Sequence, residues 1–129
     1  MSIVDGLKKS VASSPDKTAA ICGSTRHTFS VLNERVDRLS TALLGLGIQR
    51  GDRVAVLALN CHRFFELYYG IAQIGAAAVP INFRIPPKEI KYILDHSGSR
   101  AIAVDAALTP ALEAVRAQLE SVEQFISIA

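Results

Sequence analysis

The run Arg50-Gly51-Asp52-Arg53-Val54-Ala55-Val56-Leu57-Ala58-Leu59 decides the fold. A charged turn leads into six consecutive apolar residues, 54–59. A half-exposed strand would alternate polar and apolar, so an unbroken run predicts a strand buried on both faces, as in a parallel sheet. Asn60 closes it. Upstream, Leu32, Val36, Leu39, Leu43 and Leu46 recur at spacings of four and three, while Glu34, Arg35, Asp37 and Arg38 lie off that stripe. This is an amphipathic helix. Ser30 is placed to cap its start. Gly47 is placed to stop it, because glycine adopts a left-handed backbone cheaply. Downstream, residues 62–74 carry Phe64, Phe65, Leu67, Tyr68, Tyr69 and Ile71 nearly all round, which predicts a helix covered on more than one side. Gly75 ends that helix, and residues 77–81 give the next strand.

The pattern continues outward. Residues 82–86 read as a loop, and Pro87 suits a first helical turn. Ile90, Ile93 and Leu94 form the inner face of that helix. Residues 101–104 make a third core strand. Thr109, followed by Pro110, is placed to cap a helix running to about Leu119, and residues 124–128 make a last strand. Toward the start, Ile3, Val4, Leu7 and Val11 draw a short helix over 3–13, broken by Ser13-Ser14-Pro15-Asp16. Residues 18–22 and 26–29 read as a hairpin-like pair at a sheet edge. Strands and helices alternate from about residue 52, which predicts an α/β fold: a Rossmann-like, mostly parallel sheet with flanking helices. No linker or repeat interrupts 1–129, which reads as one unit.

Composition narrows the function. Half of the 129 residues are apolar and one fifth are charged, which excludes intrinsic disorder. The net charge of +2 is dispersed, so nucleic acid is not an expected partner. Cys22 and Cys61 read as free, buried thiols of a reducing compartment. No leader and no apolar run of spanning length is visible, so a cytoplasmic setting is expected.

Catalytic motifs are scarce. Gly45-Leu46-Gly47-Ile48-Gln49-Arg50-Gly51 resembles a dinucleotide fingerprint, but its third glycine is one residue late and it follows a helix rather than a strand. It reads as a helix stop and a turn. No GxxxxGK[ST] loop and no GxSxG elbow occurs. His27, His62 and His96 lie far apart in sequence, so no metal site is expected. His62 and Glu66, four apart, read as a surface pair. Glu89, Asp95 and Asp105 read as isolated, solvated acids. No catalytic residue is assigned.

The order of segments is nevertheless specific. Thr28-Phe29-Ser30-Val31-Leu32 resembles the first core motif of the adenylate-forming superfamily. Gly70-Ile71-Ala72-Gln73-Ile74-Gly75-Ala76, followed by Val79-Pro80-Ile81-Asn82, resembles the second. Residues 15–104 match at family spacing, most closely the acyl-CoA synthetases. The resemblance implies a two-step reaction in the whole enzyme. A carboxylic acid, expected to be a fatty acid, attacks the α-phosphate of Mg2+-ATP, which gives an acyl-adenylate and releases pyrophosphate. Coenzyme A then displaces AMP from the acyl-adenylate. It also implies that the Pro-Lys-Gly phosphate loop and the C-terminal domain lie beyond residue 129. The chain is therefore expected to be an N-terminal segment, inactive and without bound cofactor alone. In some of these ligases an arginine matching Arg84 lies near the coenzyme A phosphates, which makes Arg84 the one candidate cofactor-binding residue. The matching Gly51, Asp52, Gly75 and Pro80 read as scaffold, and Asn82 as a cap for its own loop.

A free-standing Rossmann-like binding module is the competing expectation. Exposed apolar surface on the 62–74 helix and the last strand predicts self-association.

Overall fold

The computed structural model describes residues 3–59 and 62–128. Asn60 and Cys61, with the expectations placed on them, lie outside the described residues. In chain order the elements are α1 (Ile3–Ser13), β1 (Thr18–Cys22), β2 (Thr25–Thr28), α2 (Phe29–Gly45), β3 (Arg53–Leu57), α3 (His62–Gln73), β4 (Ala77–Pro80), α4 (Pro87–Ser97), β5 (Ala101–Asp105), α5 (Thr109–Glu113) and β6 (Gln124–Ile128).

The main sheet is parallel throughout, in the order β4-β3-β5-β6. Side chains alternate across β3. Val54 and Val56 join Leu43, Leu67 and Ile71 on the face covered by α2 and α3. Ala55 and Leu57 join Ile90, Leu94 and Leu112 on the face covered by α4 and α5. Residues 54–58 are all buried, while Leu59 is 39% exposed. The apolar run is thus a central strand between two helical layers, as its sequence predicts.

The hairpin β1–β2 is antiparallel and forms a two-stranded sheet of its own, not the edge of the parallel sheet. Leu7, Leu32 and Val36 form a separate small core there, with Ala19, Phe29 and Tyr69 packed against it. Cys22 in β1 is a free thiol, half-buried rather than buried.

The ends of α2 correct one expectation and bear out another. Thr28, not Ser30, is the N-cap: its backbone is extended and its Oγ1 accepts the Val31 N–H at 3.2 Å. Ser30 is already helical, and its N–H donates to the Pro15 carbonyl. At the other end Gly47 (φ 87°) reverses the chain, its N–H donating to Leu44 O and the Ile48 N–H to Leu43 O. This Schellman pattern satisfies two otherwise orphaned carbonyls and brings Ile48 onto Leu43 in the core. The turn that imitates a dinucleotide fingerprint is therefore a helix stop. Leu46, placed on the apolar stripe by its spacing, is 39% exposed, because the reversal carries it off the buried face. Ser40 occupies that face instead, its hydroxyl donating to Gly70 O at 3.2 Å.

The predicted helix from Thr109 to Leu119 is much shorter. Only Thr109–Glu113 is α-helical, flanked by 3-10 turns at Ala106–Leu108 and Arg116–Gln118. Thr109 does not cap it; its hydroxyl donates to Asp105 O at 3.5 Å. The 3-10 turn before Thr109 is capped by Asp105, which accepts the Ala107 N–H.

Candidate functional site

In an open parallel sheet a ligand crevice forms beyond the carboxyl ends of the strands, where the connections diverge to opposite faces. Here β3 leads into α3 on one face, and β5 leads toward α5 on the other. The divergence therefore lies between β3 and β5. The same rim carries the loop after β4, the first turns of α2 and α3, and the end of β6.

Arg84 stands on the loop after β4 and is exposed. Its backbone N–H donates to Asn82 Oδ1 at 2.9 Å, so Asn82 caps this loop as expected. The guanidinium lies over the Phe83 ring, 5.4 Å from its centroid.

The rim also holds a buried polar cluster that the sequence reading missed. His62 and Glu66 are each only 7% exposed, so the expected surface pair is in fact buried. Glu66 takes a forked ion pair from Arg35 of α2, with Nε–Oε1 2.5 Å and Nη2–Oε2 3.3 Å. The paired charge is what makes a buried carboxylate tolerable there. His27 of β2 meets His62 edge to face, with ring centroids 4.8 Å apart. Two histidines expected to lie apart are thus brought together, because the hairpin folds back over the start of α3. Burial pushes the His62 imidazole below its ordinary value, against the opposing pull of Glu66. The only sequence signal was the four-residue spacing of His62 and Glu66; the contact with residue 27 is not local. His96 stays separate, stacked on Tyr92 of α4.

Two of the acids expected to be isolated are engaged. Asp105 caps the 3-10 turn that follows it. Asp95 pairs with Lys91 at 2.5 Å and accepts the Glu120 N–H, and both contacts hold its carboxyl below the usual range. At the opposite, amino rim of the sheet, Asp52 caps the Gln49 N–H at 2.7 Å and pairs with Arg100, which also reaches Glu123. These contacts fasten strand entries and face away from the candidate site.

Two clefts open along the carboxyl rim. One, of about 250 Å³, lies between Arg35, Arg63, Glu66 and Ser127. The other, of about 220 Å³, lies between Val104, Thr109 and Phe125. Among the described residues, a larger groove of about 430 Å³ is lined by α4 alone.

A family model described as AMP-binding enzyme matches residues 7–129. The chain belongs to the AMP-binding enzyme family. The long-chain-fatty-acid–CoA ligase FadD13 of Mycobacterium tuberculosis is 40% identical over 116 residues, 88% of this chain and 23% of that protein. The long-chain-fatty-acid–CoA ligase of Thermus thermophilus is 39% identical over 101 residues, 78% of this chain and 19% of that protein. Among solved structures, a Mycobacterium tuberculosis fatty acyl CoA synthetase superposes with a TM-score of 0.94 at 36% identity, over 98% of this chain and 26% of that one. The chain therefore spans about a fifth to a quarter of the length of these relatives. These relatives are CoA ligases, which supports the ligase reading over a free-standing binding module.

The family's nucleotide needs a cradle for its phosphates. A phosphate turn follows a strand and opens a helix. Among the described residues the left-handed glycines outside the hairpin are Gly47, Gly51, Gly75 and Gly98. All four precede strands of the parallel sheet, on its amino rim. Among the described residues no glycine turn of this kind follows a strand of the parallel sheet, so no step at the phosphates of ATP is assigned to them.

Proposed function

We propose that the chain forms the first sheet layer of an ATP-dependent acid–thiol ligase, which joins a carboxylic acid, in the first place a fatty acid, to coenzyme A in the cytoplasm. The family match over residues 7–129, with CoA ligases as its relatives, carries this reading. Mg2+-ATP activates the acid and residues beyond this segment handle the phosphates. The part given to these residues is to set the strand order and the carboxyl rim against which the substrates dock. No described helix is long and apolar enough to cross a membrane.

Within this reading Arg84 contacts a phosphate of coenzyme A. Its exposure at the carboxyl rim, on a loop fixed by Asn82, supports that role. A guanidinium offers paired donors that match phosphate oxygens.

A chimera tests the proposal: these 129 residues replace the matching segment of the Mycobacterium tuberculosis ligase. Acid-dependent ATP–pyrophosphate exchange and thioester formation are expected from the chimera, and neither from the 129 residues alone. A folded chimera lacking both activities would count against the reading. In the chimera, Arg84→Ala is expected to raise the KM for coenzyme A about fivefold or more, from the loss of a charge-assisted hydrogen bond. Adenylation should change little. An unaltered KM would remove Arg84 from the site.

Self-association of the 129-residue chain belongs to the same proposal. Phe65 and Leu44 are each 56% exposed on the helices of one layer, and β6 is an edge strand. Light scattering at rising concentration should show species above the monomer mass; a constant monomer mass would refute it.

A further inference from the structure

We propose that His27, His62 and Glu66 form a binding site for one divalent transition-metal ion, zinc in the first place, which fastens the β1–β2 hairpin to the start of α3. This goes beyond the ligase reading and does not depend on it.

The geometry is the first argument. The ligand atoms of these three residues all lie within 4.8 Å of one another. His62 and Glu66 are four apart on one helix, which puts both side chains on one face. His27 comes from a different element, so one ion would bridge two parts of the fold that no strand pairing joins. Four-coordinate zinc, with bonds of about 2.0–2.2 Å, needs ligands roughly 3.4 Å apart. Turning the imidazole rings closes a gap of at most about 1.4 Å without moving the backbone.

The donor set is the second argument. Two imidazoles and one carboxylate leave a fourth position for water, an arrangement zinc accepts. The third argument is an unmet need. Nε2 of His27 is buried and, among the described residues, has no hydrogen-bond partner. A buried polar atom without a partner requires an explanation, and a ligated metal ion supplies one.

Arg35 sets the strength. Its fork on Glu66 orients the carboxylate and leaves lone pairs free on both oxygens, as outer contacts of metal ligands do. Its positive charge, with Arg63 along the same cleft, opposes a cation. The expected affinity is accordingly micromolar, weaker than that of a four-ligand structural zinc site.

Calorimetric titration of the 129-residue chain with zinc chloride at about pH 7.5 tests the site, with Cys22→Ser and Cys61→Ser removing thiol ligands. One saturable equivalent is expected. His27→Gln and Glu66→Gln should each weaken it by about tenfold or more, whereas His96→Gln, on α4, should not. Absence of saturable binding, or binding unchanged by His27→Gln, would overturn the proposal. If a variant fails to fold by circular dichroism, Co2+ absorption of the parent chain decides. Intense visible bands of a four- or five-coordinate ion support the site; the weak spectrum of the hydrated ion overturns it.

Discussion

Glu66 illustrates how burial changes a residue's meaning. In sequence it is one acid on a mixed helix; in the fold it is 7% exposed and held by Arg35. One turn earlier, the same burial lowers the affinity of His62 for protons. The pH consequence follows from the sign of that shift. The unfolded chain binds the proton more readily than the folded one. The stability His62 contributes is thus complete above the ordinary histidine pKa of about 6.5, and is lost as pH falls through the lower folded value. With metal chelated, the urea midpoint should fall between about pH 7.5 and 5.5, and His62→Gln should flatten that fall. An equally steep fall in the variant would show that His62 is not its source. The sequence disclosed the His62–Glu66 spacing but not the burial, because burial is imposed by the hairpin and by α2, both distant along the chain.

Helices α2 and α3 meet at a point set by Gly70. A Cβ there would lie 2.9 Å from Leu39 Cδ2 and 3.1 Å from Leu39 Cγ. Two opposing effects decide what Gly70→Ala does. Alanine gains about 1 kcal/mol of helix propensity over glycine. Overpacking a filled contact costs about 1–3 kcal/mol. Because both the branch point and the tip of Leu39 are crowded, one rotamer change does not clear the space, and overpacking should win. A net loss of about 1 kcal/mol is expected in urea unfolding. In a Leu39→Ala background the same substitution should become neutral or stabilising. A loss that persists there would place the strain elsewhere. At this scale most elements were legible, since α1, α2, α3, α4 and the parallel strands follow from periodicity and helix stops. The failures lie at helix starts. Ser30 and Thr109 are sound cap residues by type, but Thr28 takes the cap of α2 and the Thr109 hydroxyl bonds Asp105 O instead. The helix that begins at Thr109 is also short. Pro110 suits its first turn, yet only five residues are α-helical before the 3-10 turn at Arg116.

For the molecule as a whole, stability should be graded from the sheet outward. Val54, Ala55, Val56, Ala101, Ile102 and Ala103 are fully buried, in the two strands that have neighbours on both sides. Their amides should be the slowest to exchange with deuterium, followed by those of β4 and β6. The hairpin has only one partner strand for each of its own and should exchange faster. Equal protection of hairpin and central strands would contradict this gradient. The parallel layering was readable because a strand buried on both faces leaves an unbroken apolar run. The carboxyl rim was less readable, because Arg35, His27, His62 and Ser127 converge there from different elements and no spacing rule joins them.

The two rims of the sheet also differ in how they would tolerate insertions. At the amino rim the chain reverses through Gly47 and Gly75, and Gly51 N–H donates to Gly75 O at 2.9 Å, so each turn fits only one length. An added residue there would break helix stop and strand entry together. At the carboxyl rim the 82–86 loop is held locally, by Asn82 on its own backbone. Lengthening such a loop carries mainly a closure entropy, about 0.6 kcal/mol for each doubling. One rim fixes the fold, and the other is free to change in length and chemistry while the sheet stays the same.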